Sequence, residues 1–262
     1  MNFATGLVAL ILIASSLFAQ DKRGYEYCAD KKQNRAPQSL LNYASIAELK
    51  HSFDVLNYKI DLDIYNCFIS PYPKSYTGSV VVKFLVDSTL NSITLNAINT
   101  SMQIDSVTLA GTSFTHLSNL LNITLDRTYQ PGDTTEVKIY YKHKNVSDNA
   151  FFASGGTVFT DAEPEGARKW FPCYDKPSDK ATVDITTRVP TTVKLGSNGL
   201  LKDSVNTGNE IYYRWVSRDP VATYLVVLSG RVNYQLIMLS WVDPVSGDTI
   251  PVRLYANTSE SV

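Results

Sequence analysis

The sequence is short of the residues most enzymes use for chemistry. Its 262 residues include only three histidines (His51, His116 and His143) and three cysteines (Cys28, Cys67 and Cys173). No histidine is followed by Glu and then, four positions on, by a second histidine, so the H-E-x-x-H zinc motif is missing. No C-x-x-C occurs, which argues against a cysteine zinc site. A G-x-S-x-G nucleophile elbow and a phosphate-cradling glycine loop are absent too. His116 and His143 stand in turn-like or strand-end contexts and read as solvated surface residues. There is no excess of charge either: 24 basic residues face 25 acidic ones, a net of −1. That balance gives no electrostatic reason to expect nucleic acid or an anionic membrane as a partner.

Long apolar runs are scarce as well. The one at the start, 7–18, is followed by Ala19 and the polar residues Gln20, Asp21, Lys22 and Arg23. It falls short of the roughly 20 residues a bilayer span needs. It reads as a secretory signal peptide over 1–19. The mature chain is then expected to carry no membrane span and to be secreted, periplasmic or held at the cell surface. Export permits disulfides. The odd cysteine count leaves at least one thiol outside any internal pair, with Cys28–Cys67 conceivable. Four N-x-S/T sequons, at Asn99, Asn122, Asn145 and Asn257, matter in a host that glycosylates.

What the chain does contain is the pattern of β-structure. It is 44% hydrophobic, enough for a sizeable core, and rich in Tyr, Thr and Val. Residues 20–44 read as a polar linker, and apolar spacing over 39–50 is compatible with one short helix. From Phe53 onward the period becomes two. Tyr58, Ile60, Leu62 and Ile64 point one way, and Lys59, Asp61 and Asp63 the other. Strand signals then recur about every ten residues: 78–86, 92–98, 104–109, 121–125, 136–141, 182–189, 211–216, 224–230, 234–241 and 250–256. Turn-rich segments at 130–133, 205–209 and 243–248 punctuate them. The pattern predicts an all-β antiparallel sandwich of many short strands forming one domain over 45–256.

One stretch breaks the alternation. Residues 159–180, FTDAEPEGARKWFPCYDKPSDK, are dense in charge and interrupted by Pro164, Pro172 and Pro177. On a β scaffold such a segment is where function usually sits. Trp170, Phe171 and Cys173 read as core fillers, Cys173 as a small hydrophobe. Arg168 and Asp175 read as an ion pair or turn cap holding the loop, a contact worth about 0–1 kcal/mol when exposed.

This stretch resembles the N-terminal β-domain of the aminopeptidase N family of zinc peptidases. The residues that carry the resemblance are Thr160-Asp161-Ala162-Glu163-Pro164, Ala167-Arg168, Phe171-Pro172-Cys173-Tyr174-Asp175-Lys176-Pro177 and Lys180-Ala181. The opening strand at 53–64, Ser197-Asn198-Gly199 and Val221-Ala222-Thr223-Tyr224-Leu225 extend it. The resemblance implies a saddle-like β-domain that precedes a catalytic domain. That domain would supply G-x-M-E-N, H-E-x-x-H and zinc, none of which is found here, and 257–262 would open a missing downstream region. It further implies that Glu163 binds the free α-amino group of a peptide substrate. Asp161, where the family has Gln, would be a second carboxylate beside it, and Lys176 stands where Glu is usual. The chain is then expected to be inactive alone and to hold no cofactor, its partners being the downstream catalytic domain and peptide. The alternative is a stand-alone secreted β-sandwich that binds peptide, glycan or another protein.

Overall fold

The computed structural model describes residues 52–257. The signal peptide, the linker and the short helix expected before them, together with 258–262, lie outside the described residues. In chain order the first eight strands are β1 (Phe53–Asp63), β2 (Tyr76–Val86), β3 (Leu90–Asn96), β4 (Met102–Leu109), β5 (Gly111–Leu117), β6 (Leu120–Tyr129), β7 (Thr134–His143) and β8 (Phe151–Ser154). The remainder are β9 (Thr157–Thr160), β10 (Lys180–Pro190), β11 (Val193–Ser197), β12 (Leu200–Thr207), β13 (Glu210–Ala222), β14 (Leu228–Val232), β15 (Gln235–Val242) and β16 (Thr249–Ala256). Helix among the described residues is limited to single 3-10 turns at Tyr65–Phe68, Ala167–Lys169 and Thr223–Leu225.

The strands form four sheets. The largest has seven strands in the order β12-β13-β10-β1-β2-β7-β4. A four-stranded sheet runs β11-β14-β9-β8, a three-stranded one β3-β6-β5, and β15 pairs with β16 alone. The all-β expectation holds, with one departure from purely antiparallel pairing. At the centre of the large sheet β1 and β10 run parallel, with Asn57 opposite Thr182 and Asp63 opposite Arg188. Parallel neighbours need a long crossover. Here the crossover takes up everything from β2 to β9, so the 159–180 stretch leads directly into β10.

β1 shows how the pattern becomes structure. Its alternation puts Tyr58, Ile60 and Leu62 in the core and leaves Lys59 and Asp63 in solvent. The seven-stranded sheet is therefore dry on one face and wet on the other. One continuous hydrophobic cluster fills the dry side, with Trp170, Tyr58, Tyr141, Phe84, Phe151 and Phe171 as its largest fully buried members. Each such side chain contributes about 1.5–3 kcal/mol of transfer free energy.

Four strands escape the periodicity. β5 and β12 are exposed along most of their length, so neither shows an apolar stripe. β8 and β11 are four and five residues long, too short for alternation to register. The turn assigned to 205–209 narrows accordingly, because β12 runs to Thr207 and β13 starts at Glu210, leaving Gly208, at φ 74°, and Asn209 to make it. The 224–230 strand is also shorter than expected, since 223–225 is a 3-10 turn and β14 starts at Leu228. Cys67 is a buried free thiol whose Sγ lies 3.6 Å from the Ser75 carbonyl, and Cys28, its conceivable disulfide partner, lies outside the described residues. Burial, with the Asp63 carboxylate nearby, pushes the Cys67 thiol up to about 12.

Candidate functional site

β9 delivers the chain into the charged stretch, and backbone hydrogen bonds close it at once. The Asp161 N–H donates to the Ala150 carbonyl at 2.9 Å, and the Gly166 N–H reaches back to the Ala162 carbonyl at 2.6 Å. Glu163, Pro164 and Glu165 are thereby left at the tip of a single tight turn. Gly166 is what lets the turn close: a Cβ added there would lie 2.9 Å from Ala162 Cα and 3.0 Å from its oxygen. No side chain fits against backbone at that distance. At the tip, Glu163 and Pro164 are exposed. Glu165 is half-buried, held by Arg168 Nη2 at 2.8 Å and by Lys176 Nζ at 3.7 Å.

Behind the tip the chain turns inward. The Trp170 and Phe171 N–H groups both donate to the Ala167 carbonyl, and Trp170 through Tyr174 are buried. Phe171 meets Tyr58 edge-on at 5.6 Å. Polar bonds stitch this segment to the first three strands. The Tyr76 hydroxyl donates to the Trp170 carbonyl. Cys173 exchanges two backbone bonds with Asn96, at 2.7 and 3.1 Å. The Tyr174 N–H donates to the Tyr58 hydroxyl at 3.0 Å.

Asp175 is the knot of the arrangement. Its side chain is 1% exposed and that of Arg168 18%. One carboxylate oxygen accepts from Arg168 Nε at 2.8 Å and from the Arg168 N–H at 3.2 Å. The other accepts from the Thr223 hydroxyl at 2.6 Å. Its backbone N–H donates to Asn96 Oδ1 at 3.0 Å, and its carbonyl accepts from Arg168 Nη2 at 2.8 Å. The expected pair therefore exists, but it is a buried network and not a surface contact. Of the remaining motif residues, Phe171, Pro172 and Cys173 are core and Pro177 is exposed. Burial, reinforced by the nearby Asp175 carboxylate and only partly opposed by Arg168, pushes the Cys173 thiol well above its usual range.

His143 overturns the surface reading. It is 1% exposed, with Nδ1 2.7 Å from the Lys74 carbonyl and Nε2 2.9 Å from Asp148 Oδ2, and it stacks on Tyr76. A signal for this was present in the sequence. His143 continues the two-residue period of Val137, Ile139 and Tyr141, all core residues. Burial by itself would raise the Asp148 carboxyl, but hydrogen bonds from His143 and the Phe151 and Ala150 N–H groups outweigh it and hold the group down to about 2. Lys169 Nζ donates to the Asp148 carbonyl at 2.8 Å, which links this buried pair to the charged stretch.

Residues 56–225 match the family model described as "Peptidase M1 N-terminal domain". The chain belongs to that family. It is 33% identical over 123 residues to Aminopeptidase M1 of Arabidopsis thaliana, covering 46% of this chain and 12% of the relative. It is 25% identical over 233 residues to Aminopeptidase 2 of Candida albicans, covering 82% of this chain and 24% of that protein. The fold is similar to that of an M1 zinc metallopeptidase from Deinococcus radiodurans solved with a Tyr-Ser-Ala substrate. The TM-score is 0.66 at 22% identity, over 78% of this chain and 47% of that one. The chain thus spans a quarter or less of these curated relatives and about half of the solved structure.

Among the described residues, no group of three or more His, Cys, Asp or Glu is placed to hold an ion. Both nitrogens of His143 face oxygen partners, and His116 Nε2 lies 2.9 Å from the Ala97 carbonyl. These residues do not fit a resident zinc. Of the two departures from the family pattern, Lys176 faces Glu165, and Asp161 is half-buried at the base of the turn. The structure brings Arg168 and Asp175 together and leaves Glu163 apart from them, at the tip. Sequence reasoning gave no role to Asn96, Thr223 or Glu165. Asn96 and Thr223 are 79 and 48 residues from Asp175, and no local pattern reports contacts at that range.

Proposed function

We propose that this domain is the non-catalytic N-terminal part of a secreted zinc aminopeptidase, and that Glu163 takes hold of the protonated amino end of the peptide substrate. The observation that carries the reading is an exposed carboxylate at the tip of a turn whose base is locked by the Ala162–Gly166 bond and whose rear is pinned by Trp170 and Phe171. A carboxylate on a fixed backbone meets a cationic amine with little ordering cost, and the charge-assisted hydrogen bond is strong where water is partly excluded. The same group disfavours substrates with a blocked amino end, which would leave it desolvated and unpaired. Hydrolysis itself belongs to a zinc-bearing catalytic domain of the whole enzyme. The leader-like 1–19 segment supports export.

Two measurements test this. The transcript beyond the codon for Val262 is expected to encode H-E-x-x-H with a later Glu; a stop codon or an unrelated domain there overturns the reading. In the enzyme carrying that domain, Glu163→Ala is expected to lower kcat/KM for a free-amino peptide by roughly ten- to a hundredfold, the value of one hydrogen bond to a charged group. Its melting temperature is expected to stay put, because an exposed loop residue contributes little to stability. Unchanged kcat/KM would make Glu163 an ordinary loop residue.

A further inference from the structure

The wet face of the seven-stranded sheet carries a depression of about 330 Å³. Asn57, Thr182, Asp184, Lys202, Arg214, Ser217 and Arg218 line it. That volume is at the lower end of the range for small-molecule sites.

The depression is made by β-bulges. In β1, Val55 and Asn57 face Phe84 and Lys83, so Leu56 is an extra residue. In β12, Leu201 and Asp203 face Trp215 and Arg214, so the extra residue is Lys202. Between β10 and β13 the pairing jumps from Val183–Ser217 to Ala181–Val221, which loops out Arg218, Asp219 and Pro220. The Thr182 hydroxyl donates to the Leu56 carbonyl at 3.0 Å, joining two of these irregularities, and Lys202 of the third lines the same depression. A bulge re-aims the side chain it carries, and bulges gather beside binding sites. Two of these bulges carry cations, Lys202 and Arg218.

The charges are unequal. Three cations line the depression against one carboxylate, Asp184. Asp184 is spent on Arg214, which it meets through two hydrogen bonds of 3.1 and 2.7 Å. Asp203, paired with Arg214 across the strands, is not part of the lining. Neither Lys202 nor Arg218 has an ion-pair partner among the described residues. The neutral groups have the opposite need. Asn57 Nδ2 donates to Thr182 Oγ1, and Ser217 Oγ donates to the Asp219 carbonyl. Asn57 Oδ1 and Ser217 Oγ are left to accept, and Asn57 Nδ2 keeps one further N–H. The site therefore offers donors for an oxyanion next to acceptors for hydroxyl groups.

We propose that this depression binds a sugar bearing a phosphate or sulfate ester, with Lys202 and Arg218 on the oxyanion and Asn57 and Ser217 on neighbouring hydroxyls. This site is independent of the reading of Glu163. Calorimetric titration of the 262-residue chain tests it with four probes: glucose 6-phosphate, N-acetylglucosamine 6-sulfate, glucose and inorganic phosphate. At least one of the two esters is expected to bind with a dissociation constant of about 1 mM or tighter, and at least about tenfold better than glucose or inorganic phosphate. Which ester wins separates a free sugar phosphate from a sulfated glycan. K202Q and R218Q are each expected to weaken binding about tenfold or more, while R127Q, an exposed cation on β6 in the three-stranded sheet, leaves it unchanged. No saturable binding of either ester overturns the proposal. So does inorganic phosphate binding as well as the ester, or R127Q weakening it as much as K202Q. If a variant loses its fold, the wild-type salt dependence decides. Ester binding must weaken as ionic strength rises, and indifference to salt rejects the site.

Discussion

Asp175 is the residue whose loss should damage this domain most. Asp175→Ala removes a carboxylate that is 1% exposed and deletes the acceptors for Arg168 Nε, the Arg168 N–H and the Thr223 hydroxyl. Arg168, its side chain 18% exposed, keeps Glu165 and the residue-175 carbonyl but loses its principal counter-charge. Breaking a buried ion pair from one side costs about 3–5 kcal/mol, because a charge is left uncompensated. For a domain of this size each kcal/mol shifts Tm by about 2–4 °C, so the expected loss is roughly 6–20 °C. The assay is thermal and urea denaturation of the whole chain, followed by circular dichroism and tryptophan fluorescence. Trp170 reports directly, since it lies in the segment that Asp175 anchors. A double-mutant cycle with Arg168→Met locates the energy. A coupling of about 0.5–3 kcal/mol is expected for residues in one network. A Tm drop under about 2 °C for Asp175→Ala, or coupling indistinguishable from zero, would refute the view that this pair holds the stretch in place and return it to the value of a surface salt bridge.

Gly166→Ala should destabilise by about 1–3 kcal/mol, because its methyl meets the Ala162 backbone at 2.9 Å; a variant as stable as the parent would show that the turn can open without cost. Cys173 should label with a thiol reagent far more slowly in the native protein than in denaturant, since burial holds the thiol protonated; equal rates contradict its placement. Asp148 supplies a pH test. Its carboxyl is depressed in the folded state to about 2, so its contribution is present above the unfolded value near 4 and is lost as pH falls through about 2. Asp148→Asn should therefore cost about 2 kcal/mol near pH 6 and much less near pH 2, measured by urea denaturation at each pH. A deficit that does not change over that window would place the stabilisation elsewhere.

The sequence by itself determined the fold class and the two-sided character of its central strands. A period of two in a half-buried strand is written residue by residue, as 58–64 shows, and needs no partner to be read. It also determined membership of the M1 N-terminal domain family, through the run from Thr160 to Ala181. What only the tertiary structure decided is who faces whom. The exposed strands β5 and β12 have no apolar stripe, because an edge or surface strand buries too little to enforce one. The parallel pairing of β1 with β10 joins segments more than a hundred residues apart, and hydrogen-bond direction leaves no mark in a period of two. His143 looked solvated because histidine usually is, yet its place in the alternation of β7 put it in the core, where Asp148 and Lys74 satisfy it. Arg168 and Asp175 could be read from the sequence as an ion pair or turn cap. Whether that pair was a surface contact or a buried knot depended on Asn96 and Thr223 arriving from distant strands, and long-range packing of that kind is decided by the closing of the core and not by any local pattern.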